Sequence, residues 1–240
     1  KRPASATALA AIILQSSQND MHGGQSFAFF DKDMAPFMAN ATDEEIYQAM
    51  EALIYNLNSM HSRAGAQIPF SSLNYGTDTS PEGRLVMEQL LLATEAGLGN
   101  GETPIFPVQI FQVKEGGNYN EGDPNYDLFQ LSIKTSAKRL FPNFSFLDAP
   151  FNRQYYKAGD YNSEVAYMGC RTRVIGNVHD PDREITFGRG NLSFTTINLP
   201  RLALNSKGDQ DLFFKELDFS LKDILNILQK PDYEKAEIYR

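Results

Sequence analysis

Apolar residues recur at helical spacing in five stretches, and short apolar runs separate them. Ser5 to Gln18 reads as a helix with Leu9, Ile12 and Ile13 inward. The next begins at Thr42, where Thr42 and Glu45 form a capping box. Ile46, Ala49, Met50, Leu53, Ile54 and Leu57 follow on one face, and Gly65 fits its end. A third starts at Ser80-Pro81-Glu82, with a side-chain cap, a proline tolerated in the first turn and an acid that complements the dipole. It continues over Leu85 to Ala96, and Gly97 and Gly99 stop it. Asp123 and Pro124 open a fourth that runs to Leu140 before Pro142, and Asp209 to Gln229 carries Leu212, Phe213, Leu217, Leu221, Ile224 and Leu228 on a fifth. Between them, Ile68 to Leu73, Ile105 to Val113, Phe144 to Leu147 and Leu192 to Leu199 read as strands. Pro107 puts an edge, a bulge or a strand start into the second of these. Helix alternating with strand predicts an α/β fold with a largely parallel sheet. Pro150 to Gly190 fits neither period. It reads as a long irregular segment, rich in Gly, Asn, Asp and Arg, of the kind that usually carries function or is disordered.

Composition narrows the function classes. The chain has 240 residues, 42% of them hydrophobic, enough for a buried core. Its net charge of -8 argues against a general nucleic-acid surface. No apolar run approaches the ~18 residues of a membrane span, and no secretory signal precedes the first helix. A single cysteine allows neither an internal disulfide nor a Cys-rich zinc site. A reducing, cytoplasmic setting is expected.

That cysteine, Cys170, lies in the irregular segment, within Met168-Gly169-Cys170-Arg171-Thr172-Arg173. A lone cysteine is usually a small buried hydrophobe. Here Gly169 allows a tight turn or a close backbone approach, and Arg171 and Arg173 would favour a thiolate if they faced the sulfur. His22, His61 and His179 lack metal-ligand spacing. Gly23-Gly24 and the Gly97/Gly99/Gly101 cluster lack the Lys-Ser/Thr of a phosphate loop and read as turn glycines. Asp31, Asp33, Asp180 and Asp182 read as caps or solvated acids.

Several strings, in order, resemble the anaerobic (class III) ribonucleotide reductases, a glycyl-radical enzyme family. They are His22-Gly23-Gly24-Gln25-Ser26, Arg63-Ala64-Gly65-Ala66-Gln67, Pro69 through Ser80, Pro104-Ile105-Phe106-Pro107, Asp148-Ala149-Pro150-Phe151-Asn152, the string around Cys170, and Gly188-Arg189-Gly190-Asn191. The resemblance implies part of a ten-stranded α/β barrel built from two halves of parallel strands, with a finger loop, about residues 150–190, running between the halves. Residues 1–240 would then be a fragment of that catalytic barrel. The strands near 68, 105 and 144 would lie in the first half, and Leu192 to Leu199 would open the second.

The resemblance also implies chemistry. Cys170, at the finger tip, would become a thiyl radical that abstracts the ribose 3′ hydrogen, and Asn191 would hydrogen-bond the sugar hydroxyls. Ser71, Ser72 and Asn74 are implied in substrate binding, and Gln25, within Ser17 to Phe30, in effector binding. The chain itself would hold no cofactor or metal: the radical-storing glycine, a four-cysteine zinc site and the nucleotide-sensing cone domain are expected outside it. Formate as reductant, a radical S-adenosylmethionine activase, ribonucleoside triphosphates, ATP and deoxynucleotide effectors and a second subunit in a homodimer are the implied partners. Two other readings stay open: a glycyl-radical enzyme of the formate-lyase type, and a nucleotide-binding module without chemistry.

Overall fold

The computed structural model describes residues 2–62, 64–169, 172–175, 180, 182, 186, 188–190 and 195–228. They divide into two compact units, Lys1–Arg189 and Gly190–Arg240. In the first, α1 (Pro3–Asp20) leads to β1 (Gln25–Phe27), α2 (Phe30–Met34) and α3 (Asp43–Ser59). Then come β2 (Ser71–Tyr75), α4 (Pro81–Ala96), β3 (Val108–Val113), α5 (Tyr126–Arg139) and β4 (Asn143–Phe146). The four strands pair in chain order, all parallel. The α/β class and the parallel sheet expected from the sequence are therefore present.

Local chemistry explains the element ends. Thr42 and Glu45 close the expected capping box at α3. Ser80 Oγ accepts the Gly83 amide at 3.1 Å to cap α4, and Gly97, at φ +84°, ends it. Pro107 stands immediately before β3, which settles its role as a strand start rather than an edge or a bulge. The core lies between one sheet face and α3 to α5: Leu73, Tyr75 and Phe111 meet Ile46, Met50, Leu57, Met87 and Leu90. Each such side chain contributes ~1.5–3 kcal/mol by leaving water. Side chains alternate across a strand, so Ser72, Asn74 and Gln112 point to the opposite face.

Other expectations fail. The burial of α1 falls on Thr7, Ala10, Ala11, Leu14 and Gln18, whereas Leu9, Ile12 and Ile13 are exposed. Small residues let α1 lie close to α3, where Gln15 Nε2 donates to Asn56 Oδ1 at 2.6 Å. Helix α3 stops at Ser59, with Met60 extended, so Gly65 belongs to a later turn. The segment after Pro150 is not irregular throughout. It holds α6 (Pro150–Arg153) and an antiparallel hairpin of β5 (Ala166–Met168) and β6 (Thr172–Val174).

In the second unit, residues 195–198 form no strand and Leu199 opens α7 (Leu199–Ser206), with Asn198 Oδ1 accepting the Arg201 amide at 3.0 Å. A capping asparagine followed by proline in the first turn outweighs the apolar run. Residues 192–194 lie outside the described residues. The expected last helix is α8 (Gln210–Leu228).

Candidate functional site

The sheet face turned away from the helices is polar, and residues 164–169 lie along it. From β3, Gln112 Nε2 donates to the Val165 carbonyl at 3.1 Å. At the end of β3, Lys114 pairs with buried Glu164 and donates to Tyr156 Oη at 3.2 Å. Burial works against the Lys114 charge, but Glu164 and then Tyr156 outweigh it and raise its pKa. From β2, Asn74 Oδ1 accepts the Tyr167 amide and Asn74 Nδ2 donates to the Tyr167 carbonyl, each at 2.8 Å. Ser26 of β1 donates to the same carbonyl at 2.8 Å. The Gly169 amide donates to Ser72 Oγ at 3.0 Å. Side chains of three strands, with Lys114 just past β3, thus hold residues 164, 165, 167 and 169, the stretch that leads to position 170.

The expected site residues distribute as follows. Cys170, in the connection between β5 and β6, and Asn191 lie outside the described residues, as do Arg171 and His179. Ser71, Ser72 and Asn74 are fully buried on β2. Ser72 holds the backbone of Gly169 and Asn74 that of Tyr167. Ser71 shares the parity of Leu73 and Tyr75, and its hydroxyl has no hydrogen-bond partner among the described residues. Gln25 is buried, its backbone N–H donating to the Phe70 carbonyl at 2.8 Å. Gln25 also lines a cleft of about 580 Å³ with Ser26, Tyr161, Tyr167 and Met168. That volume is in the range of small-molecule sites.

Asp31 is the residue that sequence reasoning misread. It neither caps nor meets solvent: it is fully buried at the C-terminal end of β2. Its Oδ2 accepts the amides of Gly76, Thr77 and Asp78 at 2.9, 3.0 and 2.9 Å. Such a concave row of amides suits an anionic oxygen. Gly76 has φ +141°, and a Cβ there would stand 2.5 Å from the Gln112 carbonyl oxygen, so only glycine fits. The signal available was this glycine: a turn that presents consecutive amides behind a buried strand needs an acceptor. Burial raises the Asp31 pKa, against the lowering effect of those amides.

Asp33 keeps contact with solvent on the cleft rim, yet burial, and then the charge of Asp31, raises its carboxyl from 3.8 to about 6. The folded state therefore favours its neutral form. This contribution to stability is complete below pH 3.8, falls as the pH rises towards about 6 and is lost above it. Unfolding free energies of the chain between pH 4 and 7 should decline over this window, and Asp33→Asn should flatten the decline. Partial solvation screens the effect. Identical slopes in the two proteins would show that Asp33 does not titrate in this range.

A model of the family described as anaerobic ribonucleoside-triphosphate reductase matches residues 1–237. Curated relatives carry that same name. The protein of Escherichia coli is 34% identical over 91% of this chain and 33% of its own length. That of Haemophilus influenzae is 33% identical over 97% of this chain and 36% of its own length. The protein of phage T4 is 32% identical over 84% of this chain and 36% of its own length. The chain spans about a third of the length of the curated relatives it matches.

Proposed function

The chain belongs to the anaerobic ribonucleoside-triphosphate reductase family, and from that premise we propose that it is the part of a reductase barrel that presents the hydrogen-abstracting cysteine. Residues 1–240 are read as a stretch of the catalytic barrel, with residues 150–190 as the finger and Cys170 at its tip. The substrates are ribonucleoside triphosphates and the products their 2′-deoxy forms. A thiyl at Cys170 takes the 3′ hydrogen of the ribose, forming the S–H bond and leaving a radical at C3′. That radical lets the 2′-hydroxyl depart as water, after the leaving oxygen gains a proton. Asn191, whose amide both donates and accepts, binds the sugar hydroxyls.

The observation that carries this reading is the row of side-chain bonds from β1, β2 and β3 to residues 164–169. A catalytic cysteine needs sulfur and hydrogen in near-attack contact, roughly 3–3.5 Å apart, and a finger seated on a sheet supplies a fixed approach. Among the described residues no group of three or more His, Cys, Asp and Glu could hold a metal. The stored glycyl radical, which supplies the oxidising equivalent, is read as lying outside these residues, with the zinc site. Formate is the proposed reductant, a radical S-adenosylmethionine enzyme the activase, ATP and deoxynucleotides the effectors, and a second copy the dimer partner. The formate-lyase reading and the non-catalytic module are not favoured, since the relatives reported all bear the reductase name.

The test is turnover. The whole polypeptide, activated without oxygen and given formate and a ribonucleoside triphosphate, should yield the deoxynucleotide, and the 240-residue chain alone should yield none. An activated whole polypeptide that makes no deoxynucleotide, or an unactivated one that works at full rate in air, would overturn the reading.

A further inference from the structure

We propose that Asn74 and Gly24 are positioning residues for Cys170: Asn74 fixes the finger along the sheet and Gly24 fixes its distance from it. The inference rests on the reading of Cys170 as the hydrogen-abstracting residue, and it gives Asn74 a role other than substrate binding.

Asn74 is fully buried. Its amide makes the two-bond pairing with the Tyr167 peptide that a neighbouring strand would make, accepting from the N–H and donating to the carbonyl at 2.8 Å each. Its Nδ2 protons also reach the Phe27 carbonyl at 2.9 Å and Ser26 Oγ at 3.0 Å. The amide's donors are thus spent within the protein, and its acceptor is engaged by Tyr167, so Asn74 has no donor left for a ligand. A slip of the finger by one residue would bring a side chain of opposite direction to this point and break both bonds. The hold at Tyr167 is three residues before Cys170, and the hold of Ser72 on Gly169 is one residue before it.

Gly24 acts through absence. Its φ lies outside the left-handed region, so no backbone conformation demands glycine there. Space does: a Cβ would stand 2.9 Å from the Gly169 Cα and 2.9 Å from Phe70 Cδ1. The start of β1 and the finger meet backbone to backbone, one residue before Cys170. A methyl group at position 24 forces them apart by roughly 0.5–1 Å, the distance that restores ordinary carbon contact. Gly169 turns there at φ +65° and cannot yield without leaving that conformation.

The experiment uses the whole polypeptide with its activase. Gly24→Ala and Asn74→Ala are compared with the unaltered enzyme for glycyl-radical content by electron paramagnetic resonance, for ribonucleoside-triphosphate Kd and for kcat. The expected result is radical content and Kd within about twofold of the unaltered values, with kcat lower by about 10²-fold, the penalty of a misplaced reacting group. Adding Phe70→Leu to Gly24→Ala relieves the ring but not the Gly169 contact, so the rate should stay low. Should Asn74→Ala fail to fold, Ser72→Ala, which deletes one oxygen at the Gly169 hold, is expected to give the same split. A normal kcat in folded variants overturns the proposal. So does a raised Kd with kcat retained, which would make Asn74 a substrate ligand, or a rate fully restored by Phe70→Leu. Cys170→Ser is run beside them. If it too turns over, the reading of Cys170 has failed; if it alone is inactive, only the positioning inference has.

Discussion

Cys170→Ser in the whole polypeptide should abolish deoxynucleotide formation while leaving the fold and the glycyl radical in place. The substitution keeps shape and a donor group, so packing changes little. The chemistry changes greatly, because an alcohol holds its hydrogen atom far more tightly than a thiol and no oxygen radical forms at residue 170. The chain of hydrogen transfers then stops before the sugar. A buried structural cysteine predicts the reverse pattern, a modest loss of stability with activity retained. Three measurements on one sample separate the two: the radical by electron paramagnetic resonance, the melting temperature, and product formation. Product at near the unaltered rate, from a protein that melts normally and carries the radical, would remove Cys170 from the reaction.

Asp31→Ala should lower stability by about 2–4 kcal/mol, since buried amide donors left without an acceptor cost about 1–3 kcal/mol for a group. Three amide groups, those of Gly76, Thr77 and Asp78, would lose their common acceptor behind β2. The raised pKa of Asp31 shows that burial of the carboxyl is itself unfavourable, which offsets part of what the three bonds contribute. The balance still favours the acid, since alanine leaves the donors unpaired and a space beside them. At about 2–4 °C per kcal/mol for a chain of this size, the melting temperature should fall by roughly 5–15 °C. Asp31→Asn keeps one acceptor oxygen and should fall less. A shift of only one or two degrees for the alanine variant would mean that water replaces the carboxylate without penalty.

Helices α3 and α4 were legible because cap residues and apolar spacing agree with the packing, as at Thr42, Ser80 and Ile46 to Leu57, whereas α5 begins at Tyr126, past the expected Asp123-Pro124 start, and has no side-chain cap. The face of α1 was not, because its contact with α3 selects small residues over large ones, and Leu9, Ile12 and Ile13 are left outside. The three-residue strand β1 carries no period that a sequence can announce. The polar residues inside the sheet were opaque for a related reason. Ser72, Asn74 and Gln112 are buried because a distant backbone meets them, and local pattern does not record distant partners. The same holds for Asp31, whose partners lie 45 to 47 residues along the chain. Cys170 stood out by its neighbours Gly169 and Arg171, while the roles proposed for it and for Asn191, and those expected of Gln25 and Ser71, came only with the family motifs.

The bonds that seat residues 164–169 also imply an order of events in folding. The sheet grows between consecutive strands, each joined to the next by a local helical crossover. Residues 164–169 have no such neighbour. Tyr167 must find Asn74 across 93 residues, Gly169 must find Ser72 across 97, and Ser26 must find Tyr167 across 141. Closing such loops is entropically unfavourable until a formed surface rewards it. A chain leaving the ribosome should therefore complete β1 to β4 before residues 164–169 have a place to dock, so that seating of the stretch leading to position 170 is a late step, kinetically separate from assembly of its scaffold.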